Sequence, residues 1–268
     1  MKKQALFVAL AFGVSSVFAQ DLTSKKGETI LPEAGDWGIS INANPFLNYA
    51  GNFIGGNGLN VAPAANFLGM NQMIIGKYFI DATTAYRGGL RLNFASTSSA
   101  TKVAVIPATT PATFVDDVTS TSSSNVGLTF GLEKRRGKTR LQGFYGAEAG
   151  IMFGSGSTKY KYGNDLSVNN AITRTAETKA GATFGLGVRG FIGAEYFILP
   201  KISLGAEFGW GLAFNFTGEG STTTDTWNGS AVESTTTKTG KSSSFGVDTD
   251  NLNSVFGPAG TIRLGFHF

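Results

Sequence analysis

Between positions 202 and 216 every even-numbered residue is apolar: Ile202, Leu204, Ala206, Phe208, Trp210, Leu212, Phe214 and Phe216. The odd-numbered positions hold small or polar residues, among them Ser203, Gly205, Glu207, Gly209 and Asn215. A period of two sends successive side chains to opposite faces of a β-strand, so one face is greasy and the other is not. The same alternation predicts strands over 37–47, 72–81, 86–95, 125–133, 140–153 and 183–197. An eighth, 261–268, closes the chain with Ile262, Leu264, Phe266 and Phe268 on one parity.

The connections alternate in length. Short ones fall at 82–85, 134–138 and 199–201, and long ones at 48–71, 96–124, 154–182 and 217–253. Tight turns on one side and long loops on the other are the layout of an outer-membrane barrel. A soluble sandwich also alternates, but its strands usually run about 5–6 residues. Here apolar alternation persists through all of 202–216, and the opposite face carries glycine and charges of both signs. The expected fold is therefore all-β: an eight-stranded antiparallel up-and-down transmembrane β-barrel, with short periplasmic turns and four long extracellular loops. An even strand count puts both termini on the periplasmic side.

The amino terminus supplies the route to that membrane. Lys2 and Lys3 precede an apolar run from Ala5 to Val14, and Val17-Phe18-Ala19 offers a small-residue cleavage site before Gln20. That order is a secretory signal peptide. The domain division is then signal peptide 1–19, a polar periplasmic arm 20–35, and an outer-membrane barrel 36–268. No later stretch has the roughly 20 apolar residues of a membrane helix. In lipid every backbone polar group needs an internal partner, so a spanning chain without such helices must close into a barrel.

Composition narrows the chemistry. The chain has no cysteine, which removes thiol catalysis and thiolate metal sites. Its 37 glycines argue against a helical protein. The net charge of +4 falls by two when Lys2 and Lys3 leave with the signal, which is too weak a charge to suggest nucleic acid as a partner.

Residues 195–207 and the terminal Gly265-Phe266-His267-Phe268 complete a layout that resembles the small OmpA/OmpX-type outer-membrane barrels. Among those it is similar to the broad outer-membrane β-barrel family common in Bacteroidota. The resemblance covers residues 35–268. It implies that Phe266 and Phe268 form an assembly signal read by the barrel assembly machinery. It also implies outer-membrane lipid and lipopolysaccharide as surroundings. Unlike OmpA, the chain is expected to stop at the barrel, without a peptidoglycan-binding domain.

The inward parity carries Lys77, Arg87, Arg91, Glu133, Arg140, Glu148, Arg189, Glu195, Glu207 and Arg263. An eight-stranded barrel is just wide enough inside to be filled by side chains. Buried charges persist when paired, so these ten residues are expected to form a salt-bridged plug. A proton or ion path is the sharper alternative, because intramembrane charges often mark one.

Other motifs weaken on inspection. Gly185 to Gly190 spells G-x-G-x-x-G, but within a strand, where no helix follows to receive a nucleotide phosphate. The segment 248–251 begins like a calcium loop but lacks its glycine and closing glutamate. Asn228-Gly229-Ser230 reads as a turn rather than a glycosylation site. His267, the single histidine, is expected at the inner rim. The barrel enzymes that use histidine near the outer rim are therefore poor guides. The long loops are rich in Ser, Thr, Asn and Gly and read as solvated surface without a core of their own. The first is different: Phe46, Leu47, Tyr49, Phe53, Ile54, Leu59, Val61, Phe67 and Leu68 make it a candidate lid or partner patch.

The function these features suggest is a non-enzymatic outer-membrane barrel without an open pore. It would stabilise the membrane, present loops outward or join a larger outer-membrane complex. No cofactor or metal is expected. The alternative is a small channel or transporter for ions or hydrophobic solutes.

Overall fold

The computed structural model describes residues 22–58, 73–247, 255–257 and 259–268. The signal segment, Leu59, Val61, Phe67 and Leu68 of the first loop, and the calcium-like 248–251 lie outside them. Among the described residues there are twelve antiparallel strands and one helix. They are β1 (Trp37–Asn42), α1 (Asn44–Ile54), β2 (Ile74–Asp81), β3 (Thr84–Ala104), β4 (Phe114–Arg136), β5 (Leu141–Lys161) and β6 (Thr173–Lys179). There follow β7 (Thr183–Leu199), β8 (Ile202–Thr217), β9 (Ser221–Trp227), β10 (Val232–Lys238), β11 (Ser242–Val247) and β12 (Gly260–His267).

Twelve strands correct the expected count of eight. All eight expected segments are strands, and their pairings run β1-β2-β3-β4-β5-β7-β8-β12 and back to β1. The wall is uneven, from six residues in β1 to 23 in β4. The four extra strands arise in segments read as loops. β6 adds to β5, β9 to β6 and β10 to β9, while β11 lies beside β8. Threonine and valine favour the extended chain. Hydroxyl pairs such as Ser122–Ser157 at 3.0 Å and Ser124–Ser155 at 2.9 Å join neighbouring strands. The β3–β4 ladder runs unbroken from Thr84↔Lys134 to Ala104↔Phe114, so most of 96–124 is strand rather than solvated loop. On β6, a hydrogen bond from Lys179 and the charges of Lys179 and Lys159 hold the Glu177 carboxyl below its usual range.

The first strand is shorter than expected. Pro45 cannot donate to a ladder but suits the first turn of a helix. α1 therefore begins at Asn44, with its backbone N–H on the Asn42 side-chain oxygen at 2.8 Å. Phe46, Leu47, Tyr49, Phe53 and Ile54 are all exposed on this helix, and none is folded over the mouth as a buried lid.

Parity holds around the wall. On β8, Phe208, Trp210, Leu212, Phe214 and Phe216 are exposed, whereas Ser203, Glu207 and Ala213 are buried. On β3, Tyr86 and Leu90 are exposed and Arg87 and Arg91 buried. The wall thus turns most of its aromatic and aliphatic residues outward and its charges inward, with Phe79, Phe144, Phe191 and Phe197 buried among the charges. That inversion suits a wall whose outer solvent is lipid.

Candidate functional site: a charged lumen

The centre of the lumen is Arg87, which is fully buried. Its Nη1 and Nη2 donate to the two oxygens of Glu207 at 2.6 and 2.8 Å. Its Nε lies 3.2 Å from Glu148, and its Nη1 lies 3.7 Å from Glu133. β3 and β8 stand on different sides of the wall, so this pair spans the interior. Arg189 ties the same two carboxylates together, with Nη2 2.7 Å from both Glu148 and Glu207. Arg263 approaches Glu207 at 3.7 Å and gives an N–H to the Met73 carbonyl at 3.3 Å.

A second layer lies towards the short turns. Lys77 contacts Glu133 at 2.9 Å and Glu195 at 4.0 Å. Arg135 donates to Glu195 at 2.5 Å, to Glu133 at 3.2 Å and to Gln142 at 3.0 Å. Ser203 donates to Glu195 at 2.5 Å. Phe191 stacks against Arg87, with the guanidinium carbon 4.1 Å from the ring centre. Glycines make the space for these long side chains. A Cβ at Gly209 would lie 2.6 Å from Arg189, and one at Gly131 2.3 Å from the Ala147 carbonyl.

Buried residues lie at each end of the wall. Towards the long extensions, Val255 and Phe256 are buried against Met152 and Ala213. Gly150, Gly185 and Gly187 face them, and a Cβ at any of the three would come within 3.1 Å of Val255 or Phe256. At the other end, Ile30 of the amino-terminal arm is buried and its carbonyl takes the Lys201 N–H at 3.1 Å. Gly35 N–H bonds the Phe79 carbonyl at 2.8 Å, and Lys201 pairs with Asp36.

A family profile described as "Putative OmpA-OmpF-like porin family" matches residues 61–221, more than half of the chain. The chain belongs to this family. This OmpA-OmpF-like protein is an outer-membrane β-barrel, and the match runs from before β2 to the first residue of β9. Among solved structures, it is similar to "Crystal structure of the outer membrane protein OprG from Pseudomonas aeruginosa". Identity there is 12% and the TM-score 0.31, over 89% of this chain and 98% of that one. No curated protein matches it.

In this OmpA-OmpF-like barrel the structure gathers Lys77, Arg87, Glu133, Glu148, Arg189, Glu195, Glu207 and Arg263 into one network. Arg91 is buried on the same face of β3, four residues beyond Arg87. Arg140 is a correction: it lies one residue before β5 and is only half-buried, with its guanidinium on the Phe197 and Ile198 carbonyls. There it secures the β5–β7 edge rather than joining the network. Arg135, Gln142, Ser203 and His267 are members the sequence reading left out. It ended the fourth strand at Glu133, whereas β4 runs on to Arg136. Extending the alternation by two residues would have found Arg135, which shares the parity of Glu133.

His267 is buried between the rings of Phe79 and Phe197. Its Nε2 lies 3.3 Å from Ser203 Oγ and 3.4 Å from Glu195 Oε1. A Ser–His–acid relay uses both imidazole nitrogens, one for the hydroxyl and one for the carboxylate. Here Ser203 bonds the carboxylate directly, and His267 Nδ1 has no hydrogen-bond partner among the described residues. Ser203 and His267 thus share the Glu195 carboxylate at the rim. Phe266 and Phe268 both face outward, and Phe268 exchanges backbone hydrogen bonds with Trp37 at 2.8 and 2.9 Å across the seam.

Proposed function

We propose that the protein is a closed outer-membrane barrel with a structural, surface-interaction or accessory-subunit role, not an open pore and not an enzyme. The bridging of Arg87, Arg189, Glu148 and Glu207 across the lumen carries this reading. A wide water path along the axis would have to part these contacts, which hold four buried charges in mutual compensation. The burial of Phe256 at one end and Ile30 at the other supports the same conclusion. The family's description speaks of porins, but the filled inner face of this chain favours the closed state over the channel reading.

In this reading the protein is an eight-stranded transmembrane barrel carrying four accessory strands. The short turns and both termini are periplasmic, and β6, β9 and β10 stand outside the cell as an interaction surface. The signal peptide is removed near Gln20. The exposed apolar belt meets outer-membrane lipid and lipopolysaccharide, and the barrel assembly machinery reads Phe266 and Phe268. A larger outer-membrane complex is the partner for the exposed extensions, and nucleic acid is not a partner. Single-channel recording in planar bilayers tests the central claim. No steady porin-sized conductance is expected from the purified protein, and a stable open channel would overturn the reading in favour of transport.

A further inference from the structure

A cavity of about 480 Å³ lies at the short-turn end, between the amino-terminal arm and the β2–β3 and β4–β5 turns. Its arm side is largely apolar, with Leu22, Leu31 and Pro32 beside Thr29 and Glu33. The arm is fixed in place by the buried Ile30, the Gly35–Phe79 hydrogen bond and the Asp36–Lys201 ion pair, so this wall is built into the fold. Its barrel side is basic, formed by Arg135, Arg136 and Lys138.

The three cations differ in their obligations. Arg135 is buried and spends three N–H donors on Gln142, Glu133 and Glu195. A guanidinium has five such donors, which leaves two. Arg136 and Lys138 meet no carboxylate among the described residues. One acidic residue, Glu33, also lines the cavity. Arg135 is already balanced by Glu133 and Glu195, so Arg136 and Lys138 against Glu33 leave an excess of one positive charge, beside the apolar residues of the arm.

We propose that this cleft binds the carboxyl end of a short apolar peptide. The carboxylate would sit on Arg136 and Lys138, for which it is the matching charged acceptor. The apolar side chains would lie against Leu22 and Leu31, which bare phosphate would leave wet. The volume falls within the range of small-ligand pockets, roughly 300–1,000 Å³. Binding here does not depend on whether the lumen conducts, so this proposal and the closed-barrel reading stand or fall separately.

The test is calorimetry on the full chain folded in detergent micelles, with three probes: acetyl-alanyl-leucine, its carboxyl amide and inorganic phosphate. The free acid should bind at least tenfold more tightly than the amide or phosphate. The exchange R136E together with K138E should abolish that preference, while heat-modifiable mobility in gels shows the barrel still folded. Lys138→Gln alone should weaken the acid several-fold, giving a second reading should the double variant fail to fold. Equal binding of acid and amide overturns the proposal. So does phosphate binding as tightly as the acid, unchanged affinity in the folded variants, or no binding of the acid by the wild type.

Discussion

Arg87 and Glu207 are 120 positions apart in sequence and meet as a bidentate pair inside the barrel, with N···O distances of 2.6 and 2.8 Å. Both side chains are almost wholly buried. Removing the carboxylate would leave Arg87 and Arg189 sharing Glu148, and would strip Arg263 of its nearby charge. Glu207→Ala should therefore destabilise the fold by about 3–5 kcal/mol in a urea titration of the micelle-bound protein. Lys102→Ala is the control. Its partner is Asp116 at 3.2 Å, both side chains are at least half exposed, and such pairs contribute about 0–1 kcal/mol. Equal effects from the two substitutions would contradict the buried network.

The outward belt makes a second expectation. Phe208 lies on β8 opposite Ile192 of β7 and is exposed although aromatic. In lipid, Phe208→Arg should cost roughly 2–4 kcal/mol if the residue sits near the bilayer middle. Thr235→Arg on β10, exposed beyond the barrel wall, should be close to neutral. Folding free energies measured side by side would separate a lipid-facing belt from a water-facing one.

Gly150 tests the inner packing. A Cβ there would lie 2.8 Å from Val255, 2.9 Å from Thr129 and 3.0 Å from Phe256. Gly150→Leu should push the 255–256 segment out of the lumen while the strands stay paired. The chain has no cysteine, so a single Val255→Cys can report the change by thiol labelling. Labelling should be slow in the parent and at least several-fold faster with Gly150→Leu. Equal rates would mean that the glycine does not secure this segment.

At the seam, Phe268 and Trp37 exchange two backbone hydrogen bonds where β12 closes on β1. Deleting Phe268, or replacing it with Asp, removes or weakens that closure along with the outward aromatic end. Less folded, heat-modifiable barrel should accumulate in the outer-membrane fraction. Wild-type amounts from the deletion would show that assembly does not use this residue.

The sequence by itself determined the wall. Alternation over 202–216 specifies which side of β8 faces lipid, because side-chain direction in a strand is a local property of the backbone. The same logic put all ten expected charges on the inner face, where only Arg140 proves to sit at the edge, and kept Phe266 and Phe268 outward. It misjudged element ends. Pro45 cut β1 short, and β4 ran past Glu133 to bring Arg135 inside and leave Arg140 at the edge. It also missed β6, β9, β10 and β11, because Ser and Thr on both faces give no apolar period to read. Only the tertiary structure decided who meets whom. Sequence parity puts Arg87 and Glu207 inside, but closing the ring brings β3 within reach of β8. Nor could any local pattern show Val255 and Phe256 filling the space that Gly150, Gly185 and Gly187 leave empty. That space exists only once strands from distant parts of the chain stand around it.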